Sequence, residues 1–224
     1  MRIKRKTFAF WVCAFLPLIA VVVCFPTLPN MIPAHFGFTG KVDRIGSKYE
    51  LYIVPIITIL FAALMQFSAR YSDQKSKLGK TRDVPLANAA SVNSVGFVGI
   101  LMFIVLTVVQ IYSSYPSVPR ISIVKTMAVI LSISLILMGN LFPKCKRNAL
   151  IGIRVSWTLD NDEVWFRTHR FGGKVFIIGG LISTFACIFA PDPAVLPIVL
   201  AILLILTVIA CVYAHNVFYK LKNN

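Results

Sequence analysis

Six long apolar runs, separated by short polar segments, make up most of the chain. The first run, residues 7–25, covers about 28 Å as a helix, close to the ~30 Å thickness of the hydrocarbon core of a bilayer. The predicted spans are residues 7–25, 49–67, 94–112, 121–142, 174–190 and 194–219. This pattern predicts an all-α integral membrane protein that folds as a bundle of six transmembrane helices.

The composition agrees with lipid as the solvent. Hydrophobic residues make up 58% of the 224 residues, and the mean hydropathy is +0.80. A soluble domain of this length cannot bury so much apolar surface. Small residues recur four apart inside the spans, as in Ala128/Ser132 and Gly179/Ser183, and this spacing favours close packing of helices in lipid.

The distribution of charge predicts the orientation of the bundle. The formal net charge is +15, and 18 of the 23 Lys and Arg residues lie in the N-terminal segment, in residues 68–93 and 143–174, and at the C-terminus. The positive-inside rule therefore places these parts in the cytoplasm, with both termini inside. Basic clusters beside membrane helices suit anionic lipid, so membrane lipid is an expected partner and direct nucleic-acid binding is not.

The spans divide into two regions. Residues 1–92 are predicted to form a two-span region with an outer loop at 26–48 and a cytoplasmic loop at 68–93. Residues 93–224 are predicted to form a four-span region that contains the polar segment 139–174, here called the signature segment. The first run is expected to remain as an uncleaved helix, because no small-residue cleavage site follows it.

Prolines and cysteines refine this picture. Pro55 stands inside the second run and predicts a kink there, whereas the turn at 191–193 predicts a tight helical hairpin with Pro193 at a first helical position. The five cysteines have no CxxC spacing, and four of them lie within apolar runs. Neither a disulfide framework nor a zinc site is expected.

The outer loop carries two residues with chemical potential, His35 and Asp43. Prolines and glycines in the loop predict a shaped, non-helical segment. The two side chains suit either a metal or acid/base site or hydrogen bonds that hold turns, and the absence of a third ligand nearby favours the hydrogen bonds. No catalytic residue, metal ion or cofactor is predicted.

The signature segment predicts a helix that leads into the fifth span. Asp160 and Glu163 fit the N-cap and N3 positions of such a helix. Trp165, His169 and the pair Gly172/Gly173 then fall along one side of it, because they are three to four residues apart.

Two interpretations of the same segment remain open. Trp157 and Trp165 suit a membrane interface, with Arg154, Arg167 and Arg170 among lipid phosphates. Alternatively, the density of Trp, Arg, His and Asp indicates a recognition surface, because these residue types often dominate binding hot spots.

The stretch GNLFPKCKRNALIGIRVSWTLDNDEVWFRTHRFGGK closely resembles the signature of the SdpI family of bacterial membrane immunity proteins. Val155-Ser156 replaces the usual Thr-Pro. The loop IPAHFGFTGKVDRIGSK is similar to the DUF1648-like region often found ahead of SdpI segments, with characteristic positions at Pro33, His35, Gly40, Asp43 and Lys48. The matching signature residues are Asn140, Asn148, Gly152, Arg154, Trp157, Thr158, Leu159, Trp165, His169, Arg170, Gly173 and Lys174.

The resemblance implies a protein of the bacterial plasma membrane that gives resistance to a secreted membrane-active peptide toxin. In the best-known members it also implies sequestration of a cytoplasmic repressor, here expected to be a winged-helix protein. The expected outer surface includes His35, Asp43 and Lys48, which are predicted to project from the loop. The expected partner-binding set is the matching signature residues other than Leu159, together with Arg167.

Two other function classes compete with this one. A transporter or channel for small solutes or ions is the alternative, but the spans lack ionisable residues at mid-depth, with Lys125 and His215 near span ends. Gln66, Asn93 and Gln110 are interpreted as residues at span boundaries. An intramembrane enzyme is disfavoured because the sequence contains no HExxH, GxSxG or Walker-type motif.

Overall fold

A computed structural model describes residues 2–37, 39–77, 89–116, 122–148 and 151–223. Within these residues, six helices are long and apolar enough to cross a membrane, which confirms that prediction. A seventh helix is short and lies between the fourth and fifth spans. The helices are α1 (Arg2–Cys24), α2 (Ile53–Lys77), α3 (Ala89–Ser113), α4 (Ile123–Leu141), α5 (Ser156–Asp160), α6 (Asp162–Phe189) and α7 (Asp192–Lys222).

The second span differs from its prediction at both ends. Pro55 lies in the first turn of α2, directly after the 3-10 helix Lys48–Tyr52, so it removes no helical hydrogen bond and the predicted kink is wrong. The helix also continues to Lys77, well past the predicted end at residue 67. Much of the predicted loop 68–93 is therefore helical, and its central residues 78–88 lie outside the described part of the chain.

The outer loop is not irregular, and the fold is not purely helical. Strands β1 (Met31–Phe36) and β2 (Val42–Ser47) form an antiparallel hairpin. Gly40 adopts φ +75 in its turn, and the Gly37 N–H donates to the Lys41 carbonyl at 2.9 Å. The alternation of inward and outward side chains over only a few residues is a weak signal next to six long apolar runs, so the hairpin was missed.

The first three helices pack around small and aromatic residues. Phe10 and Ala14 of α1, Ala62 of α2 and Ile100 of α3 form one buried cluster. Gln66 is also buried, and its amide donates to Asn93 Oδ1 at 2.9 Å between α2 and α3. Both residues lie near the ends of their candidate spans, and the contact satisfies a buried amide that would otherwise be unpaired.

The last three spanning helices pack more closely. Gly139 of α4 and Gly173 of α6 face each other, and a Cβ added at Gly173 would lie 2.7 Å from the Gly139 carbonyl oxygen. Farther along the same pair, the Ser132 and Ser183 hydroxyls are 2.7 Å apart and fully buried. Small residues thus allow α4 and α6 to approach at backbone distance, as their spacing predicted.

Candidate recognition surfaces at the two ends of the bundle

The signature segment folds around the His169 ring. The ring Nδ1 lies 2.9 Å from the Trp165 carbonyl, and the Ile153 N–H donates to Nε2 at 3.0 Å. A carbonyl can only accept and an amide N–H can only donate, so the imidazole is neutral with its proton on Nδ1. Both ring nitrogens are occupied by backbone groups, and His169 therefore has a structural role in this arrangement.

Gly152 is the residue that lets the loop pass this ring. Its φ is +118, and an added Cβ would collide with His169 Nε2 and lie 3.2 Å from the Trp165 ring. The backbone conformation and the lack of space both require glycine at this position.

Trp165 is part of the same buried layer. Its side chain is 2% exposed, its ring stacks on His169 with centroids 3.9 Å apart, and its indole N–H donates to the Cys145 carbonyl at 2.8 Å. The expected position of Trp165 at the membrane interface is therefore wrong. It stayed ambiguous in the sequence because tryptophan suits both a buried site with a partner and an interface.

Two buried polar residues hold the turns that precede α6. The Asn148 amide donates to the carbonyls of Lys146 and Ile151 and its oxygen accepts from the Ile151 N–H, at 2.7–3.0 Å. The Thr158 hydroxyl accepts from the Val155 N–H at 3.1 Å and lies 2.8 Å from the Ile153 carbonyl. Asn148, Gly152, Thr158, Trp165 and His169 form what we call the buried frame.

Arg147 is a residue of this segment that the sequence analysis missed. Its Nε donates to Asp162 at 2.5 Å, and a second nitrogen donates to the Leu159 carbonyl at 2.6 Å. Arg147 therefore ties the turn after α4 to the start of α6. The sequence offered one signal for this contact, namely a basic residue in a turn that precedes a helix with acidic residues in its first turn.

The start of α6 differs by one residue from its prediction. The N-cap is Asn161, whose side-chain oxygen accepts from the Glu163 and Val164 N–H groups, whereas Asp160 is the last residue of α5. Helix α5 also packs against α7, since the Trp157 ring meets His215 edge to face at 4.9 Å. The signature segment is thus held in place by the contacts of Arg147, by the buried frame and by the contact of Trp157 with His215.

The predicted partner-binding residues divide into two groups. Gly173 and the buried frame other than Gly152 lie inside the protein, and Gly152 and Trp157 are partly buried. On α6 the exposed Arg167 forms an ion pair with Glu163 at 2.6 Å, one turn away. The exposed members of the set are Asn140, Arg154, Arg167, Arg170 and Lys174.

The hairpin closes the opposite end of the bundle. Ile32 is 2% exposed and packs with Val21, Leu51 and Ile111 from the helix ends. The residues before and after the inward positions point the other way. Met31 and Ile45 are accordingly 61% and 63% exposed on the outward face.

Three polar contacts fix the hairpin. Lys48 does not project, contrary to expectation, because its ammonium lies 3.4 Å from the Leu28 carbonyl and 4.6 Å above the centre of the Phe25 ring. Arg44 binds Glu50 through two hydrogen bonds of 3.0 and 2.6 Å. His35 and Asp43 are both exposed and 2.6 Å apart, so the predicted turn-holding hydrogen bond is confirmed.

The tip of the hairpin reaches the other half of the chain. A Cβ added at Gly40 would lie 3.0 Å from the Asp192 carboxylate and 3.6 Å from the Ser122 hydroxyl. Asp192 begins α7 and Ser122 caps α4, so both mark the same end of the bundle. The hairpin therefore lies across that end, with its inner face on the helices and its outer face free of them.

These features define a multi-pass membrane protein with a strand pair over one end and a folded polar segment at the other. The sequence profile of the SdpI/YfhL protein family matches residues 144–214, and that of DUF1648, a domain of unknown function, matches residues 12–59. The immunity protein SdpI of Bacillus subtilis (strain 168) is 24% identical over 220 residues, which cover 98% of this chain and 99% of the relative. No solved structure matches the chain.

The predicted resemblance is thereby confirmed: residues 144–214 match the SdpI/YfhL family, residues 12–59 match DUF1648, and the whole chain is similar to an SdpI immunity protein. The two profile matches correspond to the two structural ends. The DUF1648 match contains the hairpin, whereas the SdpI/YfhL match contains the buried frame, α5, α6 and most of α7.

Proposed function

We propose that this protein gives its cell resistance to a secreted membrane-active peptide and that it also recruits a cytoplasmic regulator to the membrane. The observation that carries the proposal is the full-length similarity to an immunity protein, combined with two built surfaces at opposite ends of one bundle. A peptide that arrives from outside meets one end, and a soluble cytoplasmic protein meets the other. The expected regulator is a winged-helix repressor.

The hairpin is the proposed surface for the peptide. It is anchored by Ile32, Lys48 and the Arg44–Glu50 pair, so little conformational entropy is lost when a ligand binds. Its outward face presents Met31 and Ile45, and exposed apolar groups on an otherwise polar surface are typical of interaction sites.

The signature end is the proposed surface for the regulator. The buried frame makes this segment rigid, so its exposed cations keep fixed positions. Arg154 and Arg167 are the residues we assign to this contact, because both are exposed and lie on the folded part of the segment. Arginine is frequent among residues that dominate binding interfaces.

These assignments require the hairpin outside and the signature segment inside, and thiol labelling tests this orientation. Cys145 is a poor reporter, because it is 7% exposed and burial raises the pKa of its thiol. Lys41→Cys and Lys146→Cys, each alone in a Cys-free chain, place thiols at exposed positions on opposite ends. An impermeant maleimide added to intact cells should label only Lys41→Cys.

Permeabilised cells provide the control for this experiment, since both variants should then react. Reaction of Lys146→Cys in intact cells, with Lys41→Cys protected, would reverse the orientation and remove the regulator from reach of the signature segment.

Two variants test whether the hairpin end meets the peptide and the signature end meets the regulator. Both are expressed at matched levels in the membrane. The probe is the SDP killing factor, the secreted peptide that the resemblance to SdpI immunity proteins implies as the toxin. Ile45→Ser should lower survival under this peptide by roughly tenfold, because it removes an apolar contact at the centre of the hairpin face. Arg154→Ala should leave survival unchanged and weaken co-purification of the regulator by roughly tenfold. His35→Ala and Asp43→Ala loosen the hairpin turn, so they should lower survival under the peptide as Ile45→Ser does.

Conservative and distant changes serve as controls. Ile45→Val keeps an apolar face and should retain resistance, while Lys222→Ala removes an exposed cation at the end of α7 and should retain the regulator. If Arg154→Ala abolishes resistance as completely as Ile45→Ser, both ends serve one mechanism and the division of labour is wrong.

A further inference from the structure

Three exposed polar residues of the signature segment have no part in the buried frame. They are Asn140 at the end of α4 and Arg170 and Lys174 on α6. The contact between Gly139 and Gly173 brings these two stretches of helix together, because each of the three residues lies one to three positions from one of these glycines.

All three residues point away from α7. Phe142 packs in a cluster with Leu206 and Ala210 of α7, and a Cβ added at Gly172 would lie 3.9 Å from Ala210. Asn140 is two positions from Phe142, and Arg170 and Lys174 are each two positions from Gly172. Residues two positions apart point to nearly opposite sides of a helix, about 200° apart. Because Phe142 and Gly172 face α7, the side chains of Asn140, Arg170 and Lys174 lie on the side of the α4–α6 pair that is turned away from α7.

We call the surface between Asn140, Arg170 and Lys174 the α4–α6 groove. Its depth in the membrane corresponds to the layer of lipid headgroups. Helix α6 has 28 residues and is about 42 Å long, which exceeds the ~30 Å hydrocarbon core. Measured from Phe189 at the hairpin end, the core ends about 20 residues earlier, near Arg170. Lys174 lies within the depth of the core, and its long side chain must extend toward the headgroups.

The surface below the cations is apolar and continuous with them. Ile178, Leu181 and Phe185 are 58%, 56% and 67% exposed and follow Lys174 at four, seven and eleven positions, on one face of α6. This stripe is the part of α6 that faces acyl chains.

The local charge is positive. Glu163 is about two turns from Arg170 and three turns from Lys174 and is paired with Arg167, and Asp162 is paired with Arg147. Within the described residues, no ion pair joins Arg170 or Lys174 to an acidic group. A partner that offers negative charge at headgroup depth and an apolar chain below it matches this surface on both counts.

We propose that the α4–α6 groove binds one anionic phospholipid. The phosphate lies between Arg170 and Lys174, the Asn140 amide donates to it, and an acyl chain follows Ile178 and Leu181. The lipid site is independent of the immunity function proposed above. It also separates Arg170 from the regulator surface, to which the sequence alone had assigned it.

Native mass spectrometry of the full chain, in detergent with equal amounts of phosphatidylglycerol and phosphatidylcholine, tests the site. The unsubstituted protein should retain phosphatidylglycerol preferentially, and Arg170→Gln with Lys174→Gln should reduce that preference by roughly tenfold. Lys220→Gln with Lys222→Gln removes the same charge from the last turn of α7 and should preserve the preference. Arg170→Lys with Lys174→Arg keeps both charges and should preserve it as well.

Three results would overturn the proposal. The first is an unchanged preference in the Arg170/Lys174 double variant, and the second is an equal loss in the Lys220/Lys222 control, which would indicate net charge alone. The third is displacement of the lipid by millimolar glycerol phosphate, which would indicate a site for soluble anions. If the double Gln variant fails to fold, Asn140→Leu, with no charge change, should still lower the retained phosphatidylglycerol.

Discussion

Gly152→Ala is expected to unfold the signature segment while the spans remain inserted. The substitution forces alanine into φ +118 and drives its Cβ into His169 Nε2, which already accepts the Ile153 N–H. Backbone strain of this kind costs about 1–3 kcal/mol, and the collision adds to it, so a loss of roughly 3 kcal/mol or more is expected in the stability of the segment. Acrylamide quenching of Trp165, as the single tryptophan in a Trp11→Phe, Trp157→Phe background, should rise markedly.

Ser156→Ala is the matched control, because Ser156 is exposed and lies four positions along the same segment. It should leave the quenching of Trp165 unchanged. Protection of Trp165 in Gly152→Ala at the level of the unsubstituted protein would show that the loop can pass the ring by another path. The assignment of Gly152 to the buried frame would then be wrong.

The spans could be predicted from the sequence because a helix that crosses lipid needs a long, uninterrupted apolar run. About 20 apolar residues are needed to cross the core, and few other structures require such runs. The helix ends were less accessible. Apolarity stops at residue 67, but hydrogen bonds continue to Lys77, because a helix that leaves the bilayer can extend into water without any change in its backbone.

The hairpin and the roles within the signature segment required the structure. The stability of short strands depends on the residues that cover them. Ile32 is buried by Val21, Leu51 and Ile111, which come from the ends of three separate helices. Likewise, the spacing of Trp165 and His169 predicted a shared face but not its surroundings. In the structure that face is buried against Cys145 and Ile153, so it supports the loop and does not face a partner.

Gly173→Val is expected to separate α4 from α6 and to have the largest effect of any single substitution within the spans. The added Cβ would lie 2.7 Å from the Gly139 carbonyl oxygen and 3.0 Å from Pro143, and backbone atoms in a helix cannot move aside as flexible side chains can. Overpacking costs about 1–3 kcal/mol where side chains give way, so at least the upper value is expected here. The buried thiols of Cys145 and Cys187 report unfolding through a thiol-reactive dye, and the melting temperature should fall by roughly 10 °C.

Ala201→Val is the control, since Ala201 is exposed on α7 and its two added methyl groups meet only lipid. Its melting temperature should match that of the unsubstituted protein. Gly173→Ala should fall between the two, because the Cβ alone already meets the Gly139 carbonyl and the two extra methyl groups of valine enlarge the conflict. A graded loss from glycine through alanine to valine at residue 173, absent at residue 201, is the pattern that close contact of the two backbones requires. An unchanged melting temperature for Gly173→Val would mean that α4 and α6 do not touch at these glycines, and the lipid groove that opens beside them would lose its geometric basis.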